Sequence, residues 1–254
     1  MSTPVIQRTS AGWGRPDVGG AAWGPGMERV AGPRGCVIDP CAYARTGLVS
    51  LVSERCNGTV LSLESSLAYQ QLPQSERIQS GGVVAFRLPT ALAPLLDAVT
   101  FLHRFLSQPV HGPSPGRWSV GRVVLLTDLS PFWLYDTLRS ALPEVALLSV
   151  SVLPARARPQ QVRAALLCAE PRTQLVHQAL KTTAVRRARG LSANEINVLR
   201  HLIVDDVSIA VQARIKGVSA KTLYSQRLSA MRKLGVRTLS GLLRWSVRPR
   251  GGRV

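Results

Sequence analysis

Apolar and polar positions along this chain fall into two regimes. Between residues 35 and 168, short apolar runs alternate with stretches of helical period. The runs GCVID (35–39), GTVLSLE (58–64), GGVVAFRLP (81–89), GRVVLLTD (121–128) and VALLSVSVLP (145–154) have the length and β-branched content of buried strands. Helices are predicted over 43–54, with Leu48, Leu51 and Val52 on one face, and over 65–72. A third passes through Leu92, Leu95, Leu96, Val99, Leu102 and Leu106, whose spacing of three and four marks a core face. Two more cover about 132–142 and 159–168, with Pro159 where a first helical turn accepts it. Five strands alternating with five helices predict an α/β domain over 35–168, a doubly wound parallel sheet.

From residue 191 the period is helical throughout. Ser192 followed by Glu195 forms a capping box that starts a helix with Ile196, Leu199, Leu202 and Ile203 on its apolar face. A second helix is predicted over 208–215 with Val211 and Ile215 inward. Lys216, Gly217 and Val218 make the turn, Gly217 being free to take a left-handed conformation. Ser219 then caps a third helix, AKTLYSQRLSAMRKLG, with Leu223, Leu228, Met231 and Leu234 toward the core. Thr238 opens a fourth helix through Leu239, Leu242, Leu243 and Trp245. The all-α domain spans 191–247.

Residues 1–34 are rich in Gly and Pro with isolated apolar residues, so no periodic face forms and a disordered arm is expected. Residues 169–190 open on a proline break and close on Gly190, as a linker does, with one helix expected over 174–181. Residues 248–254 are a short basic tail.

Charge changes the picture most. The chain carries 32 Lys+Arg against 14 Asp+Glu, a net of +18, which points to a polyanionic partner. From Arg186 to the end there are fifteen Lys and Arg against three Asp and Glu, a net of +12. Two thirds of the excess therefore sits in the helical domain and its flanks, which favours a localised nucleic-acid site over general surface charging. Arg far outnumbers Lys, so part of the excess also fits a biased base composition. The four cysteines, Cys36, Cys41, Cys56 and Cys168, match no zinc or redox spacing, and free thiols are expected. No apolar run reaches the ~20 residues that span a bilayer, so no membrane association is expected.

A helix, a short turn and a polar, basic helix are the parts of a helix-turn-helix, whose last helix lies in the major groove. SAKTLYSQRLSAMRKLGV resembles the LuxR/NarL-type head, and among its members the RcsA/RcsB group of response regulators, over about 191–243. The resemblance implies a four-helix head in which Lys221 and Thr222 meet phosphates. Ser225, Gln226 and Ser229 then reach base edges, Gln226 by a bidentate bond to adenine, and Arg232 and Lys233 meet phosphates. The fourth helix is where this family dimerises. The turn reads one residue longer than the family pattern, setting Ser219 four residues after Ile215.

The N-terminal domain resembles the receivers of the same group, in CVIDPCAYARTGL and VVLLTDLSP. A receiver competent for phosphotransfer gathers two acids after its first strand, an acceptor Asp after the third and a Lys after the fifth, because a carboxylate takes the phosphoryl group and Mg²⁺ needs oxygen ligands. Here the first strand ends in Asp39 and Pro40, the third in Phe86, Arg87 and Leu88, and the fifth in Val152, Leu153 and Pro154. Only Asp39 and Thr127 match. A rival alignment makes Asp128 the acceptor but leaves too few strands after it, so Asp128 is read as a helix N-terminal residue. The expected domain is a degenerate receiver without phosphotransfer, as in RcsA-like members.

The resemblance thus implies a bacterial, cytoplasmic, nucleoid-associated transcription regulator. It works on double-stranded DNA as a homodimer or as the auxiliary half of a heterodimer with a related regulator, RNA polymerase being a further partner. The alternative is a conventional phosphorylated response regulator. An enzyme acting on nucleic acid is disfavoured because no paired carboxylates, Cys/His cluster or glycine-rich phosphate loop is present. An autoinducer sensor is disfavoured because the N-terminal domain is poor in the aromatics that line such pockets. No catalytic residue, cofactor or metal ligand is assigned.

Overall fold

In the computed structural model, which describes residues 33–56, 59–78, 81–107, 121–167, 171–181 and 189–246, strands β1 (Gly35–Ile38), β2 (Val60–Leu63), β3 (Val83–Arg87), β4 (Arg122–Leu126) and β5 (Val150–Leu153) form one sheet in the order β2-β1-β3-β4-β5. All neighbours are parallel, with Ile38 opposite both Leu63 and Phe86 and with Leu126 opposite Arg87 and Leu153. Helices cover both faces, which is why the strands read as continuous apolar runs. Successive side chains still separate by the strand period of two. Val84, Phe86, Val123 and Leu125 enter one core, and Val83, Ala85, Val124 and Leu126 the other.

Helices α1 (Ala42–Cys56) and α6 (Pro159–Leu167) cover the second core with Leu48, Val52, Val162 and Leu166. Helices α2 (Ser66–Gln71), α3 (Leu92–Leu106) and α4 (Pro131–Arg139) cover the first. Every apolar position expected to define the α3 face is buried. Phe101 on the same helix meets Tyr69, Phe86 and Phe105 edge-on or stacked.

Two expectations change here. The run 145–154 is not a single strand. Pro143 and Glu144 begin a helical turn, α5 (Glu144–Leu147), and only Val150–Leu153 pair with β4. Proline pre-sets the backbone at a helix entry, and an acid in the first turn suits its dipole, so local chemistry decides over the apolar run. Within the expected linker, α7 (Leu175–Leu180) forms over the predicted stretch and buries Leu175 and Ala179 against the first core, while Gln174 bridges to Ser151. That part of the linker is a packed element of the sheet layer. Residues 1–32 of the expected arm, the 248–254 tail, Cys168, Arg186 and Arg187 lie outside the described residues.

The helical domain consists of α8 (Ala193–Ile203), α9 (Ile209–Lys216), α10 (Ala220–Lys233) and α11 (Leu239–Leu243). Helix α8 is buried on two sides. Val198 packs with Ile209, Ala213 and Leu223, while Ile196 and Leu199 join Met231, Leu234 and Leu242 in the same apolar cluster as α3 and α4. One core thus passes from the sheet into the helical domain.

Polar contacts fix this junction. The Arg200 Nε donates to Asp97 on α3 at 2.8 Å. The Gly190 N–H donates to Asp136 at 2.8 Å and the Leu191 N–H to the Thr137 hydroxyl at 3.0 Å. A side chain at Gly190 would lie 2.4 Å from the Thr137 nitrogen, so only glycine allows the chain to pass so close to α4. Among the described residues, no helix is long and apolar enough to cross a membrane.

Candidate nucleic-acid interface

Each helix of the C-terminal domain has a side-chain cap at its start. The Ser192 hydroxyl accepts from the Glu195 N–H at 3.3 Å while Glu195 accepts from the Ser192 N–H at 2.7 Å, closing the predicted capping box. Ser208 caps α9, Ser219 caps α10 by accepting from the Thr222 N–H at 3.1 Å, and Thr238 caps α11. Gly217 ends α9 in the left-handed region at φ 63°, and Gly235 follows α10 at φ 71°, both conformations that cost other residues energy. The Trp245 indole N–H donates to the Leu234 carbonyl at 3.0 Å, so Trp245 seals the end of α10.

The register of α9 differs from expectation. Val211 and Ile215 are not inward: they are 44% and 75% exposed, and the buried positions are Ile209, Gln212 and Ala213. Gln212 occupies a core position, where its amide nitrogen donates to the Val207 carbonyl at 2.8 Å while its amide oxygen is buried without a hydrogen-bond partner, so only the donor half of the amide is satisfied. The helix runs to Lys216 with Gly217 as its cap, so Gly217 and Val218 separate its last residue from the Ser219 cap of α10.

Helix α10 buries Leu223, Ala230 and Met231. Its outer side holds Lys221, Thr222, Ser225 and Arg232 as exposed residues and Gln226 as half-buried. Leu228, expected in the core, is half exposed on this outer side at 50%. Tyr224, one turn before it, is also exposed and lies under the Arg227 guanidinium, 4.9 Å from the ring centroid, a favourable cation–π distance. Neither residue stands out in the sequence as a reader, although both share the helical period of Lys221, Ser225 and Arg232. The helix carries four basic residues and no acid.

Ser229 and Lys233, expected to face the groove with the others, turn instead to Glu195. The Lys233 ammonium donates to Glu195 Oε2 at 2.8 Å, and Ser229 also hydrogen-bonds this carboxylate. Burial pushes the Glu195 carboxyl up, but the bonds from Lys233, the Ser192 N–H and Ser229, with the Lys233 charge, outweigh it and hold the group below the usual carboxylate range. The physical reason for the redirection is that a buried carboxylate on α8 needs a cation.

A second site to weigh lies in the sheet. The strand order reverses between β1 and β3, and the carboxyl ends of these strands form the crevice where such sheets bind ligands. Asp39, fully buried, sits there. Its Oδ1 accepts from the Cys41 N–H at 2.9 Å, its Oδ2 from the Arg87 Nε at 2.5 Å, and Arg87 also donates to the Ala155 carbonyl. The buried Thr127 hydroxyl accepts from the Leu129 N–H at 3.1 Å. Asp128 is not itself the α4 cap, which is Ser130; it accepts from the Ala155 N–H at 3.3 Å. The residues present do not fit the Mg²⁺ of a receiver, because Asp39, the carboxylate that ends β1, is already neutralised by a guanidinium. Among the described residues, no group of three or more His, Cys, Asp or Glu side chains is placed to hold a metal ion. Cys36, Cys41 and Cys56 are free thiols.

Neither a protein-family model nor a curated protein matches the chain. Several solved structures resemble it. RcsB of Salmonella typhimurium, described for its conformational dynamism in DNA interaction, is 21% identical over 84% of this chain and 96% of its own, with a TM-score of 0.44. RcsB from Salmonella enterica serovar Typhimurium bound to promoter rprA in the presence of phosphomimetic BeF3- is 19% identical over 84% and 96%, at 0.47. A complex of the two-component response regulator RcsB with DNA is 20% identical over 85% and 100%, at 0.45.

Proposed function

We propose that this chain is a sequence-specific, DNA-binding transcription regulator of the LuxR/NarL response-regulator type, with a receiver-like domain that does not undergo phosphotransfer. The observation that carries the DNA reading is α10. It stands after a glycine-ended turn as the second helix of a helix-turn-helix and presents a polar, acid-free face to solvent. On this reading Lys221, Thr222 and Arg232 hold phosphates and fix the register, while Ser225 and Gln226 reach base edges. Ser229 and Lys233 brace α10 on α8 through Glu195, while the exposed Arg214, Lys216 and Arg237 extend the positive field.

The Arg87–Asp39 pair supports the loss of phosphotransfer. A carboxylate bonded to a guanidinium is poorly available to a divalent cation, and β3, after which the resemblance expects an acceptor Asp, ends in Arg87 with no carboxylate following. Control then comes from protein level or from assembly as a homodimer or a heterodimer with a related regulator, in the bacterial cytoplasm at the nucleoid. RNA polymerase is the partner through which such a regulator acts.

Two measurements test this together. Selection from a random double-stranded DNA library with the full chain should enrich a defined sequence, bound with an affinity that falls steeply with salt. Incubation with a small radiolabelled phosphodonor and Mg²⁺ should leave the chain unlabelled. Label on Asp39 or Asp128 returns the conventional response regulator, and enrichment of no sequence removes the reader.

A further inference from the structure

We propose that Leu228 is a specificity residue that meets the C5-methyl group of a thymine in the major groove. The inference rests on the reading of α10 as the groove-entering helix and adds a base preference to it.

Three observations lead there. Leu228 is not a core residue: it is 50% exposed, whereas Leu223, Met231 and Leu234 on the opposite side of α10 are 2%, 5% and 9% exposed. Along the outer side it lies three residues after Ser225 and four before Arg232, within the row that includes Lys221. At ~1.5 Å rise per residue, Lys221 and Arg232 are about 16 Å apart along the axis, close to five base-pair steps of ~3.4 Å. Leu228 therefore falls inside the reading span. The remaining exposed residues between these two cations are Thr222, Tyr224 and Ser225, so Leu228 is the only aliphatic side chain at an exposed position there.

The chemistry selects the base. A leucine neither donates nor accepts a hydrogen bond, so it cannot satisfy the polar edges that guanine, cytosine and adenine present in the major groove. Placed against one, it would strip water from groups it cannot replace. Thymine alone among the four standard bases carries an apolar group there, and contact with that methyl is a direct form of readout. The hydroxyl and amide of Ser225 and Gln226 on the neighbouring turn meet polar edges, and Leu228 reads the gap in the polar pattern. Tyr224 is less suited to this part because Arg227 stacks on its ring.

The test uses the full chain and its selected site. Each thymine is replaced in turn by deoxyuridine, which removes the methyl and leaves the Watson–Crick edge intact. For the unsubstituted chain, one thymine per half-site should show a loss of about fourfold in affinity, the equivalent of ~0.8 kcal/mol for one buried methyl. Leu228→Ala should bind the thymine site about as weakly as the unsubstituted chain binds the uracil site, and should not distinguish uracil from thymine at that position. Its thermal midpoint should be unchanged, because the side chain leaves no core cavity. Indifference of the unsubstituted chain to uracil at every position overturns the inference. A uracil penalty that survives in Leu228→Ala overturns it as well, with DNA binding itself intact. If the unsubstituted chain shows no salt-dependent DNA binding, the regulator reading fails and takes this inference with it.

Discussion

Lys233, on the last turn of α10, donates to the same Glu195 oxygen that closes the capping box of α8. One carboxylate therefore starts one helix and ties it to the end of another. Removing it by Glu195→Ala deletes the box and strands a partly buried ammonium, and should destabilise the chain by about 3 kcal/mol. The pH dependence has a definite sign. The folded-state carboxyl titrates below its unfolded value, so its contribution is complete above the usual carboxylate range and is lost as pH falls through the lowered value. Urea denaturation at neutral and acid pH should show the penalty of Glu195→Ala shrinking in acid.

Arg87 and Asp39 form the second pair whose removal is informative. Asp39 is fully buried while Arg87 retains 26% side-chain exposure. Arg87→Ala leaves the carboxylate buried without its cation and should cost about 3 kcal/mol in urea denaturation, and Asp39→Asn with Arg87→Met should recover most of the loss. Arg87→Ala should not confer phosphorylation, since β1 is followed by one acid rather than two, β3 by no acceptor carboxylate and β5 by no lysine.

Much of the frame is written in local pattern. The α3 face, the two alternating sheet cores, the capping box and the Gly217 turn follow from residues close in sequence. What a sequence reading misses depends partly on local chemistry that an apolar count overlooks and partly on partners far apart in the chain. The apolar run 145–154 has no period that separates a helical turn from a strand, and Pro143 with Glu144 decides it. In α9 the core position belongs to Gln212, whose amide nitrogen donates to the Val207 carbonyl, so an apolar count selects Val211 and Ile215 wrongly. Ser229 and Lys233 look like groove residues on a helical wheel, and only the packing of α8 against α10 brings a carboxylate within their reach. Arg87 is visible in the sequence at the end of the third strand, but its pairing with Asp39 requires β1 and β3 to be neighbours.

Gly190 tests the junction between the two domains. A methyl group there meets the Thr137 nitrogen at 2.4 Å and the Trp133 carbonyl at 2.6 Å, backbone atoms that cannot yield without moving α4. Gly190→Ala should displace the chain, break the Gly190–Asp136 and Leu191–Thr137 bonds, and cost about 2 kcal/mol. Because the apolar core is continuous across this point, the intact protein should unfold in one transition by calorimetry. Gly190→Ala should broaden that transition or split it in two.

The proposed reading helix makes a separable prediction for positioning and reading residues. Lys221→Ala or Arg232→Ala frees a phosphate whose neutralisation carries no sequence information, so binding should weaken on every sequence. The slope of log K against log salt should become shallower by about 0.9 for each phosphate no longer neutralised. Gln226→Ala removes a bidentate partner of adenine and leaves the charge alone, so the slope should hold while one position of the selected site loses ~1–3 kcal/mol of discrimination. Lys233→Ala provides the contrast. Its ammonium is engaged with Glu195, so its replacement should lower the thermal midpoint more than it lowers the salt slope. Affinity titrations at several salt concentrations, on selected and scrambled DNA, separate the three kinds of residue. If all three kinds of variant weakened binding with the same change in slope, α10 would be acting as a uniform cationic surface rather than as a helix with a reading face and a braced back.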